Sequence, residues 1–209
     1  MQYTSYQFAE YVEKEIEKIP DEVVRSKSTR EGKKLIEEMR PLSRLALALK
    51  CPGLDVYVEI TPEGSEADGI IYEKGFQERE LKVQITYSFD YEESLRMELL
   101  NKQGCAPCSG PIYRDKKTKK ILSMLVATDI DEYFKRVSDE VLRLYNLKAS
   151  KKYKNKMVLL ISFSELKLFG LSSWARLYET IRDRITEIES NFLSVYLFNE
   201  SSNEIYRIV

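Results

Sequence analysis

Residues 65–86 read SEADGIIYEKGFQERELKVQIT and bring acids, an amide and a lysine into a stretch with the look of a β-hairpin. Asp68 opens one apolar run, and Glu80, Lys82 and Gln84 alternate with Leu81, Val83 and Ile85 along the next. In an extended strand the side chains of one parity share a face, so Glu80, Lys82 and Gln84 lie together. A hairpin that carries Asp68 to the Glu80–Lys82 end would set two carboxylates against each other. Their repulsion would be relieved by a hard divalent cation, Mg2+ or Mn2+, taking oxygen ligands from both and a further one from the Leu81 carbonyl. Lys82 would then orient a water or offset charge on a phosphate. Glu59 is a further acidic candidate if its strand lies alongside. The plainer reading is a solvated hairpin face.

Composition removes most rival chemistries. The 209 residues contain no histidine. Ser–His and Cys–His nucleophiles, histidine zinc sites and histidine bases are therefore excluded, leaving carboxylates, Lys, Tyr and water. Lys+Arg (33) and Asp+Glu (34) nearly cancel, so net charge does not select a partner and only local clusters can. The three cysteines cannot all pair within the chain. That odd count and the absence of a leader-like start predict a reducing, cytoplasmic setting. Cys105-Ala-Pro-Cys108 follows a helical pattern and lacks enough partners for zinc, so a plain loop is expected. No apolar run has the length of a membrane span, so no membrane is expected as a partner.

Two basic runs bear on a substrate. Arg114, Lys116, Lys117, Lys119 and Lys120 crowd one loop, and Lys148, Lys151, Lys152, Lys154 and Lys156 crowd another. Either could follow a phosphate backbone, with Tyr113 and Tyr153 placed to stack on bases; alone, each also reads as an ordinary solvated loop.

The elements that must position these residues can be read from periodicity. Apolar residues at helical spacing predict a helix over 5–19 ended by Pro20, and a second from Ser28 or Thr29 to about Lys50 that Pro41 should kink or split. Alternation then predicts strands over 56–61, 68–73 and 79–88, a three-strand antiparallel meander. A helix follows, with Asp90 as N-cap and Gly104 past its end, and then a loop. A long amphipathic helix ends near Lys148, and MVLLISFS (157–164) has the continuous apolar character of a buried strand. Trp174 to about Ile188 predicts a helix, and FLSVYLFN with EIYRIV a terminal strand pair.

Asp68 followed by Glu80-Leu81-Lys82 on the next strand resembles the Asp…Glu-x-Lys signature of the PD-(D/E)xK nuclease superfamily, and the order helix, meander, helix, strand resembles that family's core. The similarity covers roughly residues 29–165. Ala67 stands where many members have proline. The resemblance implies a restriction-endonuclease-like mixed α/β fold, a central mixed sheet flanked by helices. It implies Asp68, Glu80, Lys82 and Gln84 as catalytic residues, Asp68, Glu80 and the Leu81 carbonyl as ligands to Mg2+ or Mn2+, and Glu37 or Glu38 as an added acid. The expected organisation is one nuclease-like domain over 1–209, with a helical extension at 1–28 and a helix and strand pair at 166–209. The expected function is metal-dependent hydrolysis of nucleic acid, DNA before RNA, with a homodimer as one way to cut two strands. The alternative is a non-catalytic binding or regulatory protein on the same scaffold.

Overall fold

The computed structural model describes residues 2–75, 78–88, 91–107, 110–124, 129–165, 168, 170–186 and 190–209. Cys108 and Asp90, to which the sequence assigns a loop thiol and an N-cap, lie outside these, as does Phe169, an aromatic near Trp174 that its spacing predicts as core. The chain is mixed α/β. Strands β1 (Gln2–Thr4), β2 (Asp55–Ile60), β3 (Gly69–Lys74), β4 (Arg79–Tyr87), β7 (Met157–Phe163), β8 (Phe192–Asn199) and β9 (Glu204–Arg207) form a 7-stranded sheet in the order β1-β2-β3-β4-β7-β8-β9. The expected meander is β2-β3-β4, antiparallel throughout. β4, β7 and β8 run parallel, and β9 returns antiparallel at the edge. The expected terminal strand pair is β8–β9, and β8 joins it to the main sheet beside β7.

Every residue of β7 is buried because helices cover both faces. Val158 and Leu160 point into a cluster with Phe8, Val12, Leu42 and Leu45, from α1 (Ser5–Glu17) and α4 (Arg40–Ala48). Leu159 and Ile161 point the other way, to Val137, Val141, Trp174 and Leu177 of α6 (Ile130–Ala149) and α7 (Gly170–Thr186). Each such side chain contributes about 1.5–3 kcal/mol on burial. The first residues are therefore not an appendage: β1 extends the sheet beside β2, and α1 supplies core. Among the described residues no helix is long and apolar enough to cross a membrane.

Pro41, expected to kink or split its helix, stands at the start of a new α-helical segment, just after a change of helix type. A short α2 (Asp21–Ser26) and α3 (Arg30–Lys33) lead into a π-helical turn, Lys34–Met39, which joins α4 directly. Proline has no N–H to give to the carbonyl four residues back, and its ring crowds that carbonyl. The wider π turn accommodates this, and Arg40 N bonds Leu35 O five residues back. The expected loop after α5 (Tyr91–Gln103) contains a small hairpin, β5 (Ile112–Arg114) and β6 (Ile121–Ser123), which packs on α5. Its runs are too short and too charged for periodicity to reveal.

Candidate functional site

The hairpin register decides which polar residues meet. Gly69 pairs with Val83, Ile70 with Lys82 and Tyr72 with Glu80. One position further, Asp68 therefore lies beside Gln84, and its N–H donates to Val83 O at 2.9 Å. Glu80 is four residues along β4, about 13 Å away at ~3.3 Å per residue. Side chains stand roughly perpendicular to a sheet, so these two carboxylates cannot share an ion with ligand distances of about 2.0–2.6 Å.

The expected Asp68–Glu80–Lys82 centre is thus corrected. Glu80 is exposed and lies 3.9 Å from the Lys82 ammonium. Leu81 pairs with Ile71 well inside the ladder, so its carbonyl is no ligand beside Asp68. Glu59 accepts a hydrogen bond from the Tyr72 hydroxyl at 3.0 Å and stays on the outer part of the meander. Of the expected strand residues, only Gln84 reaches Asp68.

What the fold does assemble lies where β3 begins and β4 runs on without it, toward Tyr87. Ile85 N–H, which has no strand partner on that side, donates to Asp68 Oδ2 at 2.6 Å, and the Gln84 amide donates to the same oxygen. From the π turn, Glu38 comes close enough for its charge to act on Asp68. Lys148, at the end of α6, is near enough for its charge to act on both acids, and Lys151 for its charge to act on Asp68. Burial raises Glu38 above the usual carboxylate range, and the Asp68 charge raises it further. Burial likewise raises Asp68, opposed by the Ile85 N–H, Lys148 and Gln84. Lys148 is lowered by its own desolvation, against the pull of Asp68. The Tyr153 hydroxyl, raised by burial and by Asp68, is buried with no hydrogen-bond partner among the described residues.

Gly69 permits this approach. A Cβ there would strike the buried Leu42 side chain, so α4 and the π turn that precedes it could not lie so near β3. Glu37, the neighbour of Glu38, lines instead a cleft at the carboxyl end of β4, beyond Tyr87.

The basic runs part company. The second reaches the site: Lys151, Lys152 and Lys154 are exposed, and the segment is anchored by Glu66, which accepts from Lys154 N at 2.5 Å and Asn155 Nδ2 at 3.2 Å. The first lies on the β5–β6 hairpin. There Arg114 pairs with Glu98 of α5, while Lys116, Lys117, Lys119 and Lys120 surround a turn held by Asp115. Lys148 carried a signal that a charge-run reading hides. It follows Val137, Val141, Leu144 and Tyr145 at helical spacing, on the buried face of α6.

Two half-buried carboxylates and a buried amide, with a partly desolvated lysine acting on both acids, can hold a cation and a phosphate oxygen. Among the described residues, no group of three His, Cys, Asp or Glu side chains is arranged to hold a metal ion. Comparison with protein-family models, curated proteins and solved structures finds no match for the chain.

Proposed function

We propose that the chain is a metal-dependent phosphodiester hydrolase acting on nucleic acid, with its site at Asp68, Glu38, Gln84 and Lys148. The observation that carries this reading is the convergence of two half-buried carboxylates and a half-buried lysine at the opening between β3 and β4, with the orphaned Tyr153 hydroxyl near enough to sense the Asp68 charge. The succession of helix, meander, crossover helix and parallel strand supports it through the PD-(D/E)xK resemblance. In this version Gln84 stands in the place given to glutamate and Lys148 in that of the strand lysine.

The residues fit a cation of modest protein coordination. Asp68 Oδ1 and Glu38 would hold Mg2+ or Mn2+, which keeps several waters when bound through one or two carboxylates. When bound, such an ion acidifies water and offsets charge on a phosphoryl oxygen. Gln84 and the Ile85 N–H fix the Asp68 carboxylate by occupying Oδ2. Lys148 is placed to neutralise a phosphate oxygen, and Lys151, Lys152 and Lys154 to follow the backbone on either side.

Cleavage of single- and double-stranded DNA and RNA, with and without Mg2+ and Mn2+, tests this. Asp68→Asn and Glu38→Gln should abolish cation-dependent cleavage while Lys82→Ala leaves it intact. Cleavage that survives both substitutions in a clean preparation sinks the proposal. A second reading, a non-catalytic binding protein, is favoured by the saturation of Asp68 Oδ2 and the lack of a three-acid group among the described residues. It requires that Asp68→Asn change thermal stability only, with no cleavage under any cation.

A further inference from the structure

A second polar centre lies at the carboxyl ends of the parallel strands, where open α/β sheets commonly receive ligands. Here a cleft of ≈ 1330 Å³ opens between α2, the π turn, α5 and α6, over the ends of β4, β7 and β8. At its base the Lys27 ammonium sits 3.4 Å from the centroid of the Tyr87 ring and 3.6 Å from Glu200 Oε2. Tyr87 donates to that same oxygen at 3.1 Å. Glu37 and Glu93 are near enough to act on the Lys27 charge. The other carboxylate oxygen, Glu200 Oε1, is buried and has no hydrogen-bond partner among the described residues.

An aromatic face ringed by carboxylates is an arrangement for an organic cation. The group inside it belongs to a helix with little else to hold it. α2 contains no buried residue, and among the described residues it is hydrogen-bonded to α5 through the Arg25–Asn101 bond at 2.8 Å and the Asn101–Glu22 carbonyl bond at 3.4 Å. Lys27 itself has φ 49, a left-handed conformation that non-glycine residues adopt at a cost. The cleft above offers Ile36, Met97, Val137, Val141 and Leu144 as apolar wall. Most of its rim cations are already matched: Arg136 with Glu165 at 3.0 Å, Arg143 with Glu140 at 2.7 Å, Lys102 with Glu98 at 2.7 Å and Arg40 with Glu13 at 3.3 Å. That balance disfavours a phosphate chain, which needs uncompensated positive charge.

We propose that the cleft binds a primary alkylammonium ligand, whose charged end enters the Tyr87–Glu200 box in exchange for Lys27 while its apolar body lies along α5 and α6. Lys27 is a tethered stand-in for the ligand, and α2 lifts as the two cations exchange. The new ammonium donates to the unpartnered Glu200 Oε1, which Lys27 does not reach. This site is distinct from the Asp68 centre, and neither reading depends on the other.

Calorimetric titration of the full chain with hexylammonium chloride, with hexanol as the uncharged control, tests the proposal. Lys27→Ala should bind hexylammonium at least ~10-fold more tightly than the wild type, since no tethered competitor remains. Adding Glu200→Gln to that variant should remove the gain, and hexanol should bind neither protein measurably. Equal binding by wild type and Lys27→Ala, insensitivity to Glu200→Gln, or equal binding of hexanol would each overturn it. Should Lys27→Ala fail to fold, Lys27→Gln takes its place. Failure of both variants to fold also overturns the proposal, because Lys27 is then a structural ion pair rather than a replaceable occupant.

Discussion

Asp68 and Glu200 are both partly buried carboxylates under the charge of a lysine, level with the start and the end of β7, yet they are held in different ways. Asp68 is fixed by the sheet itself, through the Ile85 N–H and the neighbouring Gln84. Glu200 is held by side chains, Tyr87 and Lys27, the second from a helix that buries nothing. Backbone donors cannot leave without opening the sheet, whereas a lysine on a surface helix can. The first arrangement suits a pre-set centre for chemistry and the second an exchangeable contact.

The largest expected effect that would break this comparison is on activity. Asp68→Asn should lower cation-dependent cleavage by ~100-fold or more, about 2.7 kcal/mol of transition-state stabilisation at 1.36 kcal/mol per decade. Gly69→Val comes next. It drives a side chain into the buried Leu42, at a cost of about 1–3 kcal/mol, and moves Glu38 away from Asp68. At roughly 2–4 °C per kcal/mol for a chain of this size, thermal melting should show the loss, with cleavage falling alongside. Unchanged activity would remove Glu38 from the site.

A smaller effect separates the two carboxylates by pH. Burial raises Glu200, so the folded chain holds its proton at pH values where the unfolded chain has released it. Its contribution to stability is therefore lost as pH rises from the ordinary carboxylate range near ~4 through the raised folded value. Glu200→Gln cannot titrate and should flatten the melting temperature across that window. Lys27 is lowered by desolvation, so its own effect, a gain in stability with rising pH, falls on the alkaline side. An unaltered slope in Glu200→Gln would mean that its burial is not maintained in solution. The smallest effect is at the Glu80–Lys82 hairpin face. Lys82→Ala removes a half-exposed contact of 3.9 Å to Glu80 and should change stability by no more than about 0.5 kcal/mol, with cleavage unchanged.

Much of the architecture is legible from spacing alone. The period-two runs of β2, β3 and β4, the three-four pattern of α6 and the unbroken apolar β7 are local signals, and each emerges as an element. Elements whose signal is not local were hidden. β1 has 3 residues and is a strand only because β2 offers it an edge. Likewise β5 and β6 exist because α5 supports them. At the candidate site, Asp68 and Gln84 stood out by type, and Glu38 was one of two adjacent acids on the right helix. Choosing Glu38 over Glu37 needed the π turn that Pro41 imposes, and choosing Lys148 over its solvated neighbours needed the packing of α6.

The sequence by itself determined that any chemistry here runs without histidine, that Glu80, Lys82 and Gln84 share one face, and that Asp68 opens a neighbouring strand. Only the tertiary structure decided which of the three Asp68 would meet. Shared parity permits Glu80, Lys82 or Gln84 alike, because sliding a strand by two residues returns the same face. The selection is made by packing, since Val58, Ile71, Val83 and Leu160 must meet Phe8, Leu42 and Leu45 together. That fit sets Gly69 against Val83, and with it Asp68 against Gln84, about 13 Å from the glutamate it was expected to join.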